Sequence, residues 1–151
     1  MTSIATLGSH CALQVLRGAK DEGFKTVLVC EKKREKLYRR YGFIDEFVLV
    51  DSFLEVIDQK CASKLKDEDA IIIPHGTLIS QMDSSQIESI KTPIFGNKWI
   101  LRWESDRKMK EKLMLESKLN VPKSIASPKD IKNLVIAKRH GAAGGKGYFL
   151  T

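Results

Sequence analysis

Short apolar runs rich in valine and isoleucine punctuate the first half of the chain at intervals of about 20 residues. They are Ile4-Ala5-Thr6-Leu7, Thr26-Val27-Leu28-Val29-Cys30, Phe47-Val48-Leu49-Val50 and Ala70-Ile71-Ile72-Ile73, with a weaker fifth at Pro93-Ile94-Phe95-Gly96. Runs this continuous are what strands covered on both faces require. Between the first two, Cys11 to Glu22 carries Leu13, Leu16 and Ala19 at helical spacing, and Gly23 stands as a C-terminal stop. Between the third and fourth, Phe53 to Leu65 puts Phe53, Val56, Ile57 and Cys61 on one helical face, with Ser52 placed as its cap. Strand and helix in alternation predict an α/β domain over residues 1–97: an open parallel sheet with helices on both faces.

The rhythm then changes. From Trp99 to Leu119 the pattern predicts one long charged helix within a connecting segment, 98–122. Its apolar side is Trp99, Trp103, Met109, Leu113 and Leu119, and Asn120-Val121-Pro122 stops it. Residues 123–133 form a polar connector. Val135-Ile136-Ala137-Lys138, a glycine-rich turn and Tyr148-Phe149-Leu150 then predict a hairpin, so 123–151 is the expected start of a second domain. A lone hairpin is marginal in water, which makes a polypeptide cut short the expectation.

Composition narrows the function classes. The chain has 151 residues, 42% hydrophobic and 30% charged, which suits a globular protein. No apolar run approaches the roughly 20 residues of a bilayer span, and the start lacks a basic leader, so a cytoplasmic protein without a membrane role is expected. Cys11, Cys30 and Cys61 are far apart, an arrangement that argues against a zinc site or a disulfide framework. The net charge of +7 is spread over helical stretches. The densest basic run, Lys32-Lys33-Arg34, is short and has no interleaved aromatics, so phosphate-bearing small molecules are favoured as ligands over nucleic acid.

Three loops carry candidate chemistry. Gly8-Ser9-His10 follows the first strand: Gly8 permits a tight turn, Ser9 could cap the next helix, and His10 sits where an anion would meet the helix N-terminus. With Gly8 the one glycine before Gly18, a dinucleotide fingerprint is absent. Pro74-His75-Gly76-Thr77 follows the fourth strand and should open on the same edge, with the Thr77 hydroxyl available to a ligand. His140 to Gly147 packs Gly141, Gly144, Gly145 and Gly147 around Lys146, a loop whose N–H groups can approach phosphate oxygens. It is no Walker loop, because His140 stands where glycine is needed and Gly147 follows the lysine. Lys138 ends the inbound strand.

Taken in order, these motifs resemble a known family: the archaeal-type, formate-dependent synthetases that formylate 5-aminoimidazole-4-carboxamide ribonucleotide (AICAR), of the ATP-grasp superfamily. The likeness rests on Ala5-Thr6-Leu7-Gly8-Ser9-His10, Gly18 to Gly23, Tyr38-Arg39-Arg40-Tyr41, Ile73 to Thr77, Pro93 to Asn97 and Leu101 to Glu104, and on the hairpin from Val135 to Phe149. The resemblance implies a Rossmann-like first domain ahead of a truncated ATP-grasp domain. It further implies ATP with magnesium as cofactors, and AICAR, formate and ATP as substrates. Gly8, Ser9, His10 and Thr77 would line the ribonucleotide site, with His10 the candidate catalytic group. Lys138, Gly141, Gly144, Gly145, Lys146 and Gly147 would hold ATP phosphates. Magnesium ligands are expected beyond Thr151, so the chain by itself is expected to give no turnover. Cys11 and Thr77 depart conservatively from the family pattern. Homo-oligomerisation, a free-standing nucleotide-binding or regulatory module and a ligase for a different amine all stay open.

Overall fold

A computed structural model describes residues 2–138 and 148–150. Contacts divide the chain into two compact units, Met1–Trp99 and Ile100–Thr151. The first is built from β1 (Ser3–Leu7), α1 (Ala12–Asp21), β2 (Lys25–Glu31), α2 (Glu35–Tyr38), β3 (Glu46–Val50), α3 (Gln59–Asp67), β4 (Ala70–Ile72), α4 (Gly76–Gln81) and α5 (Ser84–Ser89). All four strands are parallel, in the order β3-β2-β1-β4. The expected parallel sheet with helices is therefore present. The weaker fifth run contributes a single bridge, Ile94 to Ile72. Pro93 lends its carbonyl to the Ile72 N–H but has no N–H of its own to extend a ladder.

The continuous apolar runs explain the burial. In β2 every residue from Thr26 to Glu31 is buried, as a central strand demands. Leu28 and Cys30 pack with Ala12, Leu16, Tyr38 and Ile44 on one side of the sheet. Burial pushes the thiols of Cys30 and Cys61 up to about 11, so both stay protonated near neutrality. Helix α1 ends where Gly23 was expected to stop it. Gly23 adopts φ +82° and its N–H reaches the Lys20 carbonyl, while the Phe24 N–H reaches that of Ala19.

Two helical expectations need correction. The stretch from Phe53 to Leu65 is not one helix. Ser52 does cap it, in a capping box with Glu55, but what it caps is a 3-10 turn, Phe53–Ile57. Asp58 is extended (φ −74°, ψ 147°), and α3 begins only at Gln59. The long charged helix is likewise broken, into α6 (Leu101–Ser105) and α7 (Arg107–Glu116) of the second unit. Asp106 leaves the helical conformation to cap α7, its carboxylate accepting the N–H groups of Lys108 at 2.8 Å and Met109 at 3.2 Å. The stop falls earlier than Pro122. Lys118, at φ +56°, closes α7, with the Leu119 N–H donating to the Met114 carbonyl at 2.9 Å. The second unit also contains the expected antiparallel pair, β5 (Ile136–Lys138) and β6 (Tyr148–Leu150).

One polar cluster, built on the buried Thr26, ties β2 to the approach of β3. Asp45 accepts the Thr26 N–H at 2.8 Å and the Lys20 ammonium at 2.6 Å, and the Thr26 hydroxyl accepts the Asp45 N–H at 3.0 Å. Desolvation is the largest influence on the Asp45 carboxyl and raises its pKa. The bonds from Lys20 and Thr26 together outweigh it and hold the group below the ordinary carboxylate value. A depressed folded value stabilises above the unfolded value, near about 4, and that stabilisation is lost as pH falls through the folded one. Urea midpoints measured from pH 6 down to pH 3 should therefore fall more steeply for the native chain than for Asp45→Ala. Parallel profiles would count against this cluster as an acid-sensitive tie.

Candidate functional site

Strands β2 and β3 extend to one side of β1 and β4 lies on the other, so the strand order reverses between β1 and β4. In open α/β sheets the crevice at such a reversal, outside the carboxyl ends of the strands, is where ligands bind. Because β1 and β4 are parallel neighbours, the turns after both emerge at that rim. They are also in direct contact. His75 precedes α4, its Nδ1 accepting the Thr77 N–H at 3.3 Å, while its Nε2 lies 3.0 Å from the Leu7 carbonyl oxygen. A ring that accepts at Nδ1 carries its proton on Nε2, so His75 is the neutral Nε2–H tautomer donating to Leu7. Desolvation by burial is the leading cause holding its pKa below the usual histidine value. The charge of His10 acts in the same direction, against the favourable Leu7 carbonyl.

The β1 turn is tightly built. The Gly8 N–H donates to the Val29 carbonyl at 2.8 Å, which fastens the turn to β2. Ser9 is buried, and its N–H reaches back to the Leu7 carbonyl at 2.8 Å. Its carbonyl accepts the Ala12 N–H at 2.9 Å and the Tyr38 hydroxyl at 3.4 Å. The Ser9 hydroxyl lies 3.1 Å from Nδ1 of His10, which is itself exposed.

Ser9 is therefore not the cap that its position suggested. It lies two residues ahead of the helix boundary, and its hydroxyl is engaged by His10. Cys11 takes the N-cap with no side-chain bond, and no acidic residue stands in the first turn of α1. The first-turn N–H groups thus keep partial positive charge at the rim, where a phosphate or carboxylate would meet them.

Arg34 adds a fixed charge beside this turn. One guanidinium nitrogen donates to the Gly8 carbonyl at 3.3 Å, and Nε lies 3.3 Å from a Glu31 carboxylate oxygen. Sequence reasoning met Arg34 only as the end of the basic run Lys32-Lys33-Arg34 and did not assign it to the rim. The signal was available, since it stands three positions after β2, and a residue just past a parallel strand must lie near the same rim. The buried threonine of the second turn, Thr77, sits in the first turn of α4.

The structure thus brings Gly8, Ser9, His10 and Thr77 to one edge. Lys138 belongs instead to β5 of the second unit, opposite Tyr148. Gly141, Gly144, Gly145, Lys146 and Gly147 fall outside the described residues. Among the described residues no three His, Cys, Asp or Glu side chains come together to hold a metal. No helix among them is long and apolar enough to cross a membrane.

Two cavities lie away from these turns. One of about 400 Å³ is lined by Gln59, Lys66, Asp69, Lys91 and Thr92, and one of about 350 Å³ runs along α1 beside Ile4, Phe24 and Ile73. Neither includes His10 or Thr77. What makes this rim the candidate site is the convergence of hydroxyls, imidazoles, a guanidinium and the start of α1.

A family model described as "Protein of unknown function (DUF1246)" matches residues 4–125. A curated 5-formaminoimidazole-4-carboxamide-1-(beta)-D-ribofuranosyl 5'-monophosphate synthetase from Nitrosopumilus maritimus is 71% identical over 151 residues, all of this chain and 44% of the relative. The chain thus spans less than half of that protein's length. A crystal structure of the IMP biosynthesis protein PurP from Thermococcus kodakaraensis matches with a TM-score of 0.74 at 27% identity, covering 97% of this chain and 48% of that one. The biotin carboxylase domain of Hydrogenobacter thermophilus 2-oxoglutarate carboxylase, solved with MgADP and bicarbonate, has a TM-score of 0.71 at 18% identity over 98% of this chain and 37% of its own. The fold is that of the N-terminal part of such ATP-grasp structures.

Proposed function

This chain belongs to the DUF1246 family, and from that premise we propose that it is the ribonucleotide-receiving part of an ATP-dependent ligase of purine biosynthesis. In the reaction proposed for the whole protein, ATP phosphorylates formate to formyl phosphate. The 5-amino group of AICAR then attacks the formyl carbon, releasing phosphate and leaving the formamido ribonucleotide and ADP. The reading is supported by the name of the relative with 71% identity and by one geometric observation, the His75–Leu7 contact at 3.0 Å that joins the two turns.

Each residue has a proposed role that its chemistry allows. The 5′-phosphate is assigned to the turn of Gly8 and Ser9 at the start of α1, where the N-cap residue Cys11 makes no side-chain bond and the first-turn N–H groups beyond Ala12 face the rim. The exposed imidazole of His10 donates to that phosphate or moves a proton on the reacting amine. Thr77 offers its hydroxyl to the ribose or carboxamide. ATP is assigned to Lys138, Gly141, Gly144, Gly145, Lys146 and Gly147, and magnesium, which neutralises phosphate charge when bound, is given no ligand among the described residues. The ligands proposed are small molecules in a cytoplasmic setting.

Calorimetric titration of the chain with AICAR and with the matching unphosphorylated riboside tests the assignment. Saturable binding of the ribonucleotide is expected, with the riboside at least tenfold weaker, because charge-assisted bonds to phosphate contribute on the order of 1.5–3 kcal/mol. Equal affinity for the two compounds would end the phosphate reading of this rim.

A further inference from the structure

The sheet holds β1 and β4 together only up to a point. Strand β4 is three residues long, and its ladder with β1 covers Ser3 to Ala5. Just beyond, the Ile73 N–H donates to the Ala5 carbonyl at 2.8 Å and the Thr6 hydroxyl to the Ile73 carbonyl at 3.0 Å. After that, among the described residues, the one hydrogen bond joining the two turns is the one from His75 to Leu7. The half-buried imidazole spans them. One nitrogen takes the Thr77 N–H and the other gives its proton to the β1 carbonyl that leads into Gly8.

Histidine is an unusual choice for a helix N-cap, where serine, threonine, aspartate or asparagine accept more compactly. A cap alone does not require it. An imidazole differs in having a donor and an acceptor on opposite sides of a rigid ring, so it can fix the separation of two backbones.

We propose that His75 is a positioning residue. In its neutral Nε2–H form it sets the spacing between the His10 turn and the Thr77 turn, and so assembles the ribonucleotide site. The inference rests on the reading of this rim as that site. It also makes the site sensitive to acid. An imidazolium would turn an N–H toward the Thr77 N–H, opposing donor to donor, and the latch could not close at both ends.

The groups acting on the ring are the Leu7 carbonyl from β1 and the His10 imidazole from the following turn; no carboxylate is among them. Ribonucleotide affinity should hold above the depressed His75 value and fall below it, within the range under about pH 6.5. The phosphate's own second ionisation near pH 6 is shared by every variant, so it cancels in a comparison.

The test uses the chain itself, His75→Asn and His75→Gln. Asparagine can replace the acceptor facing Thr77, and glutamine the donor facing Leu7. Ring-nitrogen NMR at pH 7.5 should show Nε2 protonated and Nδ1 bare. By calorimetry each variant should bind AICAR roughly five- to tenfold more weakly, the loss of about one hydrogen bond. Between pH 7.5 and 5.5 the native chain should lose affinity more steeply than either variant. An Nδ1–H tautomer, unchanged affinities or parallel pH profiles would overturn the proposal. If the native chain binds no ribonucleotide, the functional reading fails separately, and amide exchange still decides the latch. Exchange at Thr77 should quicken in His75→Gln, and an unchanged rate would refute the tie. Should one variant fail to fold, the other and the tautomer measurement give the answer.

Discussion

Gly8→Val is expected to abolish detectable ribonucleotide binding, lowering affinity by about a hundredfold or more, equivalent to about 2.7 kcal/mol. A Cβ placed at Gly8 would lie 3.2 Å from Cε2 of Tyr38, 3.3 Å from the Val29 carbonyl oxygen and 3.5 Å from Cα of Cys30. The Tyr38 ring could yield a little. The other two atoms belong to the buried central strand and cannot move without disturbing its ladder with β1. Valine adds two methyl groups to that clash, so the turn must lift away and give up its 2.8 Å bond to Val29.

The overpacking should also cost about 2–3 kcal/mol of stability, read from urea unfolding. Gly18 provides the contrast. It sits inside α1, where an added Cβ would meet nothing within 4 Å. Gly18→Ala should therefore stabilise the helix by about 0.5–1 kcal/mol and leave binding alone. Normal affinity in Gly8→Val would show that the β1 turn does not shape the site.

Leu28→Ala should be the most destabilising single truncation in the first unit, by about 3–4 kcal/mol. Leu28 is fully buried on the central strand β2 and packs with Ala12, Leu16, Cys30, Tyr38 and Ile44. A cavity there has rigid walls, since β1 and β3 flank the strand and α1 covers it. The effect should reach the rim through Tyr38, whose ring is in this cluster and whose hydroxyl donates to the Ser9 carbonyl at 3.4 Å. A lower urea midpoint with an unchanged slope is the expected signature. A loss below about 1 kcal/mol would mean that the cluster is not the folding core.

Much of this was legible along the chain. Continuous apolar runs can satisfy both faces of a strand only inside a covered parallel sheet, and β1 to β4 occupy those runs. Gly23 could be read as a helix stop because a left-handed backbone suits a residue without Cβ. Strand ends in a parallel sheet share an edge, so Gly8, Ser9, His10 and Thr77 could be named as candidates before their neighbours were known. The misreadings came from groups that can satisfy more than one backbone demand. Asp106 could continue a helix or cap the next one, and it caps. Asp58 could sit within a helix and instead adopts the extended conformation that separates a 3-10 turn from α3.

Local pattern, then, was enough to determine the four strand runs, the helix between the first two and the hairpin, because periodicity and turn chemistry act over a few residues; it left α2, α4 and α5 unread and joined elements that Asp58 and Asp106 separate. Only the tertiary structure decided which strand lies beside which, that the Ser9 hydroxyl turns to His10, that Arg34 reaches the Gly8 carbonyl, and that His75 bridges to Leu7 across 68 positions of sequence. The last of these is a meeting of a side chain with a backbone carbonyl on another strand. Such contacts follow from the packing of whole elements, which no stretch of neighbouring residues encodes.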